Sequence, residues 1–149
     1  MPTKKKGGCL CGDVRYEVDG DPQVSLSCHC TFCQSFTGSA YSSVAYFEVS
    51  QVEFRGNSGE YEHRSDESGR KLTMLFCSRC ASTLAVVIEA RPGWIGIQIG
   101  TLDDPTSLRI ARHVWTRSKR PESVIPVDVD EYEFGSADGA QPTRFAGQR

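Results

Sequence analysis

The tetrapeptide Cys77-Ser78-Arg79-Cys80 has the strongest influence on how this chain of 149 residues is expected to fold. A Cys-x-x-Cys turn points two sulfur atoms at one metal ion about 2.3 Å away. Cys9-Leu10-Cys11 forms a second, tighter pair near the start of the chain, and glycines on both sides let backbone N–H groups approach its sulfurs. Two such half-sites can close one four-thiolate zinc site, which would tie the N-terminal segment to the middle of the chain. The spacing alone leaves open which half-sites pair.

A third cluster, Cys28-His29-Cys30-Thr31-Phe32-Cys33, brings the number of cysteines to seven. Because seven is odd, the cysteines cannot all pair with one another as disulfides. The C-x-C-x-x-C spacing lets one loop and the start of a helix supply three ligands. Water, a substrate or a side chain such as His29 is a possible fourth ligand, although we expect His29 to face away because both its neighbours are ligands. The alternative is a second structural site that a distant residue completes.

The charge of a three-thiolate site narrows its chemistry. Three thiolates on a divalent ion leave a net charge of −1, which makes the ion a poorer Lewis acid than one held by neutral imidazoles. A soft fourth ligand suits such a site, and a metal lowers the pKa of a thiol while preserving its nucleophilicity. We therefore hypothesise a thiol substrate instead of a hydrolytic water. A reductase that uses the free thiols of this cluster is a further alternative.

Composition sets the wider limits. The length predicts one domain, and a formal charge of −2 argues against a surface for nucleic acid or anionic membranes. No apolar run approaches the roughly 18 residues of a membrane span. The basic start at 1–6 leads into Gly-Gly-Cys with no apolar segment, so we expect no signal peptide. Metal-binding spacings favour a reducing compartment, and we expect a cytoplasmic protein.

The apolar patterns predict a mainly β protein with little helix. Strands are expected at 14–18, 41–49, 84–88 and 95–99, the last with one buried face and one bare face, and weaker strand signals lie at 72–76, 112–116 and 132–134. One short helix is expected over 31–37, ended by Gly38. We expect a single domain over 1–134 and a mobile C-terminal tail over 135–149.

Several motifs together carry a resemblance to a known family. They are Gly8-Cys9-x-Cys11-Gly12-x-Val14-x-Tyr16, Cys28-His29-Cys30-x-x-Cys33 with Gly38, Ser68-Gly69 followed by Phe76-Cys77-x-x-Cys80, Gly100-x-Leu102-Asp103-Asp104-Pro105, and His113 shortly before Ser118-Lys119-x-Pro121. In this order they resemble the glutathione-dependent formaldehyde-activating enzyme family, which also includes centromere protein V. The resemblance covers roughly residues 6–130 and all seven cysteines.

The resemblance implies a fold of several small coiled antiparallel sheets, a β-tent-like arrangement stapled by a structural zinc. It implies two zinc ions per chain, a structural one on Cys9, Cys11, Cys77 and Cys80 and a catalytic one on Cys28, Cys30 and Cys33. The implied activity is that of a carbon–sulfur lyase, in which glutathione and formaldehyde interconvert with S-(hydroxymethyl)glutathione. Its partners would be a small-molecule thiol and an aldehyde.

Two further residues are candidates for binding the cosubstrate. Arg79 lies inside the zinc knuckle, and arginine forks recognise carboxylates such as the two of glutathione; a solvated surface arginine is its alternative. His113 occupies a position where the family commonly has histidine, and a hydrogen-bonded structural histidine is its alternative.

Two positions depart from the family pattern. Ala81 stands where glycine is usual, which is easily tolerated unless the turn needs a positive φ. Glu122 stands where tryptophan is frequent, which would shift substrate identity if that aromatic lines the pocket. A non-catalytic two-zinc module that binds a protein partner is the second functional reading of the sequence.

Overall fold

The fold is described from a computed structural model, which describes residues 3–136 and 139–148. The chain divides into two compact units. The first comprises Met1–Val24 and Ala45–Leu108, and the second comprises Ser25–Val44 and Arg109–Arg149. The domain boundary inferred from sequence stays a prediction.

The described residues form a mainly β structure with one α-helix, as predicted. The elements are β1 (Lys4–Gly8), β2 (Arg15–Asp19), β3 (Val24–Cys28), α1 (Thr31–Thr37), β4 (Ser42–Glu48), β5 (Val52–Arg55), β6 (Ser58–Arg64), β7 (Lys71–Cys77), β8 (Thr83–Ile88), β9 (Trp94–Gln98), β10 (Arg112–Val114) and β11 (Asp130–Glu131). Short 3₁₀ turns fill several connections, among them Ile99–Thr101 and Thr116–Ser118. Within the described residues, no helix has both the length and the apolar character that a membrane span requires.

The first unit contains a three-stranded antiparallel sheet in the order β1-β2-β5. Strand β2 lies at its centre, and the side chains of Tyr16 and Val18 are almost fully buried while Arg15 and Asp19 are exposed. This alternation follows from the two-residue period of a strand. The same unit also contains strands paired in the order β4-β9-β8-β7-β6. Of β4, only the second half belongs to this unit.

The second unit is built on the strand order β11-β10-β3-β4. Strand β10 pairs in parallel with β3, so that Val114 lies opposite Cys28. Helix α1 begins immediately after β3, with Cys30 as its N-cap, and ends at Gly38 in the left-handed conformation (φ 61°). The predicted helix and its glycine cap are therefore confirmed.

The structure corrects three of the predicted strands. The face of β9 that carries Gly96 and Gln98, predicted to be bare, is buried as well. The sequence did not indicate this, since a glycine has no side chain that shows whether its face meets water. Strand β10 ends at Val114, since Trp115 adopts a left-handed backbone (φ 56°) that cannot continue a strand. The strand predicted at 132–134 lies instead at Asp130–Glu131.

The C-terminal segment contacts other residues of the second unit at several points. The backbone N–H groups of Thr143 and Arg144 donate hydrogen bonds to the carbonyl of Glu131, and the N–H of Ala146 donates to Asp130. Residues 137, 138 and 149 of the predicted tail lie outside the described part of the chain. The mobility of 135–149 stays a prediction.

The turn between β7 and β8 is strained at one residue. The N–H of Ala81 donates to the carbonyl of Cys77 (2.9 Å), and the N–H of Cys77 donates to the carbonyl of Ser82 (3.0 Å), which closes a tight loop. Ala81 adopts φ 63°, where a β-carbon crowds the backbone. This turn therefore needs a positive φ at residue 81, which makes alanine unfavourable there.

The N-terminal strand approaches its neighbours closely at Gly7. The hydroxyl of Tyr16 lies against this glycine and is hydrogen-bonded to Oγ1 of Thr101 (2.8 Å). A β-carbon at position 7 would come within 2.5 Å of the carbonyl oxygen of Thr101 and still closer to the Tyr16 ring. Glycine is required here for space alone.

We expect Gly7→Ala to lower the free energy of unfolding by about 1–3 kcal/mol, the usual cost of overpacking a core. Gly100→Ala is the matched control, because a β-carbon at that position meets no atom within 4 Å and should change stability by less than about 0.5 kcal/mol. Denaturant unfolding of zinc-saturated protein measures both. Equal stability of the two variants would contradict the assigned packing.

We expect Ala81→Gly to stabilise the protein by about 0.5–1 kcal/mol, because relief of the left-handed alanine outweighs the greater freedom of glycine in the unfolded chain. The control Ala90→Gly replaces an exposed alanine outside the positive-φ region and should lower stability by up to about 1 kcal/mol. Opposite signs in denaturant unfolding support the strained turn; a loss in both variants would argue against it.

Candidate metal centres

The first cysteine cluster joins two segments that lie far apart in sequence. Its ligand atoms, which belong to Cys9, Cys11, Cys77 and Cys80, all lie within 4.8 Å of one another. Sγ of Cys11 is 3.6 Å from Sγ of Cys9 and 3.7 Å from Sγ of Cys77. A tetrahedron with metal–sulfur bonds of about 2.3 Å has edges of about 3.8 Å, whereas a disulfide measures about 2.05 Å. The four cysteines are free thiols at the spacing of metal ligands.

Backbone N–H groups hold the sulfurs of this cluster in place. The N–H of Val14 donates to Sγ of Cys9 (3.2 Å), and the N–H groups of Arg79 and Cys80 point at Sγ of Cys77 (3.4 and 3.5 Å). Ser82 connects the two half-sites, since its hydroxyl accepts from the N–H of Leu10 (3.1 Å) and lies 3.2 Å from Sγ of Cys80. The fold therefore brings the Cys9–Cys11 half-site together with the Cys77–Cys80 half-site, a pairing that the cysteine spacing alone left open.

The thiols of this cluster do not share negative charge equally. Hydrogen bonds from the side chain and backbone of Ser82 lower the pKa of Cys80 to about 5. A backbone hydrogen bond at Asp13 lowers the pKa of Cys11, but partial desolvation and the three neighbouring sulfurs together outweigh it and raise that pKa to about 12. Without a cation, deprotonating all four thiols is therefore unfavourable.

The second cluster is local in sequence. Sγ atoms of Cys28, Cys30 and Cys33 lie within 4.8 Å of one another, at the end of β3, at the N-cap of α1 and in its first turn. The N–H of Cys33 donates to Sγ of Cys30 (3.3 Å), so one of the ligand sulfurs also caps the helix. Over residues 3–136 and 139–148, no fourth histidine, cysteine or acidic residue joins this group.

Negative charge in the second cluster concentrates on Cys30. Hydrogen bonds from the thiols of Cys28 and Cys33, together with backbone N–H groups, lower the pKa of Cys30 to about 3. Interaction with that sulfur raises the pKa of Cys28, and the sulfurs of Cys28 and Cys30 together raise the pKa of Cys33. The metal-free cluster thus favours a single thiolate, and the other two thiols would deprotonate together with cation binding.

His29, between two of the ligands, lies in the interior of the second unit and is fully buried. Its Nε2 is 2.8 Å from Nδ1 of His113, and the two rings stack with centroids 5.1 Å apart. Its N–H donates to the carbonyl of Val114 (3.0 Å), and its carbonyl accepts from Nε2 of Gln34 (2.8 Å). Burial first, and then the charges of His113 and Lys119, lower the pKa of His29 to about 4, so its ring is neutral at physiological pH.

The two candidate cosubstrate residues belong to different units. Arg79 is exposed in the turn of the first cluster, and His113 is buried in the second unit against His29. Cosubstrate binding by these two residues stays a prediction.

Sequence reasoning missed Gln34, which also donates to the carbonyl of Ser118 (2.9 Å) and so ties α1 to the turn after β10. Only its position on a helix beside a ligand cysteine distinguished it in the sequence.

The donor sets suit zinc. Both clusters offer only thiol sulfur, the soft ligand that zinc accepts in tetrahedral sites, and neither contains the carboxylates that calcium or magnesium prefers. The sulfur spacing of the first cluster matches such a tetrahedron. Each of the two clusters could therefore hold a zinc ion.

Comparison with known proteins agrees with this architecture. A solved structure of a Rhodobacter sphaeroides protein aligns with a TM-score of 0.54 and 21% identity, over 70% of this chain and 96% of that one. At this identity the likeness concerns the fold alone. None of the curated proteins matches the chain significantly.

The family is shown by the sequence itself. Residues 4–118 match the family model described as glutathione-dependent formaldehyde-activating enzyme, a span that contains both cysteine clusters. The match covers well over half of the 149 residues. The chain therefore belongs to the glutathione-dependent formaldehyde-activating enzyme family.

Proposed function

We propose that this protein is a zinc-dependent carbon–sulfur lyase that interconverts a thiol and a small aldehyde with their S-hydroxyalkyl adduct. Glutathione and formaldehyde are the proposed pair. The observation that carries the proposal is the unequal division of the sulfurs, with four in one cluster and three in the other. A set of three protein ligands leaves a coordination position for a substrate, whereas a set of four closes the site.

Zinc bound by Cys28, Cys30 and Cys33 would supply a positive charge that favours the thiolate form of an incoming thiol. The cysteine residues contribute through their positions. The N–H of Cys33 supports the sulfur of Cys30, and the burial of Cys33 keeps water from that side of the cluster. Because the start of α1 fixes this N–H group and the sulfurs of Cys30 and Cys33, they need little reorganisation when the substrate enters.

The reaction balances without an oxidant or reductant. In the synthetic direction the thiol sulfur forms a bond to the carbonyl carbon, the carbon–oxygen double bond becomes a single bond, and the thiol proton ends on the oxygen as a hydroxyl group. In the reverse direction the carbon–sulfur bond breaks and the aldehyde leaves. Holding the two reactants side by side is the main contribution that the protein makes to the rate.

The four-cysteine cluster has a structural role in this proposal. Its two half-sites lie 66 residues apart, so a shared ion would cross-link distant parts of the first unit. The three-cysteine cluster spans only residues 28–33, so losing its ion releases no long loop. Arg79 and His113 remain proposed cosubstrate-binding residues, and we propose a cytoplasmic location.

Glu122 bears on the choice of substrate. Its exposed carboxylate accepts a hydrogen bond from Nε of Arg120, so this position presents an ion pair where the family resemblance leads us to expect tryptophan. An aldehyde as small as formaldehyde needs no apolar surface beyond the reacting atoms. The proposal therefore keeps a small aldehyde as the carbonyl partner.

We expect wild-type protein to contain two zinc ions per chain and Cys30→Ser to contain one while remaining folded. Cys77→Ser should lose its fold, because it opens the long-range cross-link. Elemental analysis gives the metal content, and far-ultraviolet circular dichroism gives the folded state. If both variants unfold alike, the non-catalytic module with two structural zinc sites becomes the better description.

We expect the wild-type protein to accelerate exchange between formaldehyde with glutathione and their adduct, and Cys30→Ser to reduce that rate to the background. The background matters because thiols add to formaldehyde without any enzyme. Exchange NMR measures both directions at equilibrium, and Arg109→Gln, a change at an exposed ion pair, is the control that should retain the full rate. A rate equal to background with fully zinc-loaded wild type would contradict lyase activity on this pair.

A further inference from the structure

The residue between the first two ligands of the three-cysteine cluster is anchored by three hydrogen bonds. His29 is bonded through its N–H to Val114, through its carbonyl to Gln34 and through Nε2 to His113. Two of these partners, Val114 and His113, belong to β10, which pairs with the strand that carries Cys28. The chain between the sulfurs of Cys28 and Cys30 is therefore held by both its backbone and its side chain.

The side-chain anchor is directional. A hydrogen bond between two imidazoles needs one N–H and one bare nitrogen, so it fixes the tautomers and the ring orientations together. The His29 ring stacks on the His113 ring with an angle of 28° between their planes. It also contacts the ring of Tyr41, whose centroid lies 5.0 Å away. A side chain fixed in this way limits how far its two neighbouring residues can move.

Packing alone does not account for a histidine at this position. Within the described residues, Nδ1 of the fully buried His29 has no hydrogen-bond partner, which is a cost that an apolar side chain of similar size would avoid. The bond to His113 satisfies only the other ring nitrogen, so a histidine is explained if the precise placement of residue 29 matters. Its neighbours Cys28 and Cys30 indicate that what matters is the position of the ligand sulfurs.

We propose that the hydrogen bond between His29 and His113 sets the spacing of the three-cysteine site before metal binds, with His113 as a positioning residue. The inference rests on the metal-binding part of the proposed function, and it gives His113 a positioning role in addition to the proposed contact with the cosubstrate. A preset site binds metal more tightly, because the ion does not have to order the loop. A site whose loop is released must be ordered on binding and holds its metal less well.

The test compares His113→Leu, which removes the bond, with His113→Asn, whose side-chain amide can restore a hydrogen-bonding group close to the position of Nδ1. Cadmium is the probe, since its NMR resonances distinguish a four-sulfur site from a three-sulfur site, and competition with a chelator gives the affinity of each. We expect His113→Leu to weaken the three-cysteine site by about 10- to 100-fold and to leave the four-cysteine site unchanged. His113→Asn should recover most of the loss.

Two further variants keep the test decisive if His113→Leu folds poorly. Gln34→Ala removes only the hydrogen bonds to the carbonyls of His29 and Ser118, from a partly exposed helix position, and should weaken the same site by about 2- to 10-fold. Ile125→Ala is the control for general destabilisation, because it removes buried apolar volume in the same unit without removing a hydrogen bond. It should leave the affinity of the three-cysteine site within about twofold of wild type, a difference of about 0.4 kcal/mol.

The outcomes separate this inference from the proposed function. Wild-type affinity of the three-cysteine site in both His113→Leu and Gln34→Ala would overturn the inference while leaving a zinc-dependent enzyme intact. An equal loss in Ile125→Ala would also overturn it. A wild-type protein with cadmium at the four-cysteine site only would overturn the proposed function first, since no second metal site would exist to be positioned.

Discussion

Repulsion between neighbouring thiolates is the constraint on which both candidate metal centres depend. Sulfur atoms in the first cluster lie 3.6 and 3.7 Å apart, a distance at which two negative charges are stable only beside a cation. The pKa values show the same conflict, since that of Cys30 falls to about 3 while those of Cys28 and Cys33 rise. A divalent ion would remove the repulsion and release the remaining protons. Metal binding, protonation and the local fold would therefore be linked at both clusters.

The features that could be predicted from the sequence are those with a local signal. Cysteine spacing predicts which sulfurs lie near each other within a cluster, although not which half-sites pair, and Gly38 predicts the left-handed end of the short helix. Dense apolar residues also predict strands such as β4 and β8, which the structure contains. In each case the information lies within a few residues of the element itself, where period and capping rules apply.

The features that escaped prediction have no apolar pattern or local rule that marks them in the sequence. Strands β1 and β6 read as polar segments, because Lys4–Gly8 and Ser58–Arg64 are strands at the edge of their sheets with largely exposed side chains. Backbone pairing with one neighbour forms them, and it leaves no apolar pattern. The bond between His29 and His113 joins residues 84 positions apart, so no local rule could indicate it. The turn at Trp115 likewise ended a strand whose sequence favoured continuation.

The two clusters also differ in how much strain they can tolerate. A left-handed alanine such as Ala81 costs about 1–2 kcal/mol, which is small beside the roughly 10–16 kcal/mol that a structural zinc contributes when it binds. A closed four-sulfur site can therefore keep an unfavourable residue in its turn. The proposed open site has one protein ligand fewer. It would exchange its fourth ligand during the proposed reaction, so metal binding would supply less energy to organise its loop. Its order must come from the protein, and the three hydrogen bonds that hold His29 supply it without occupying the position left for substrate.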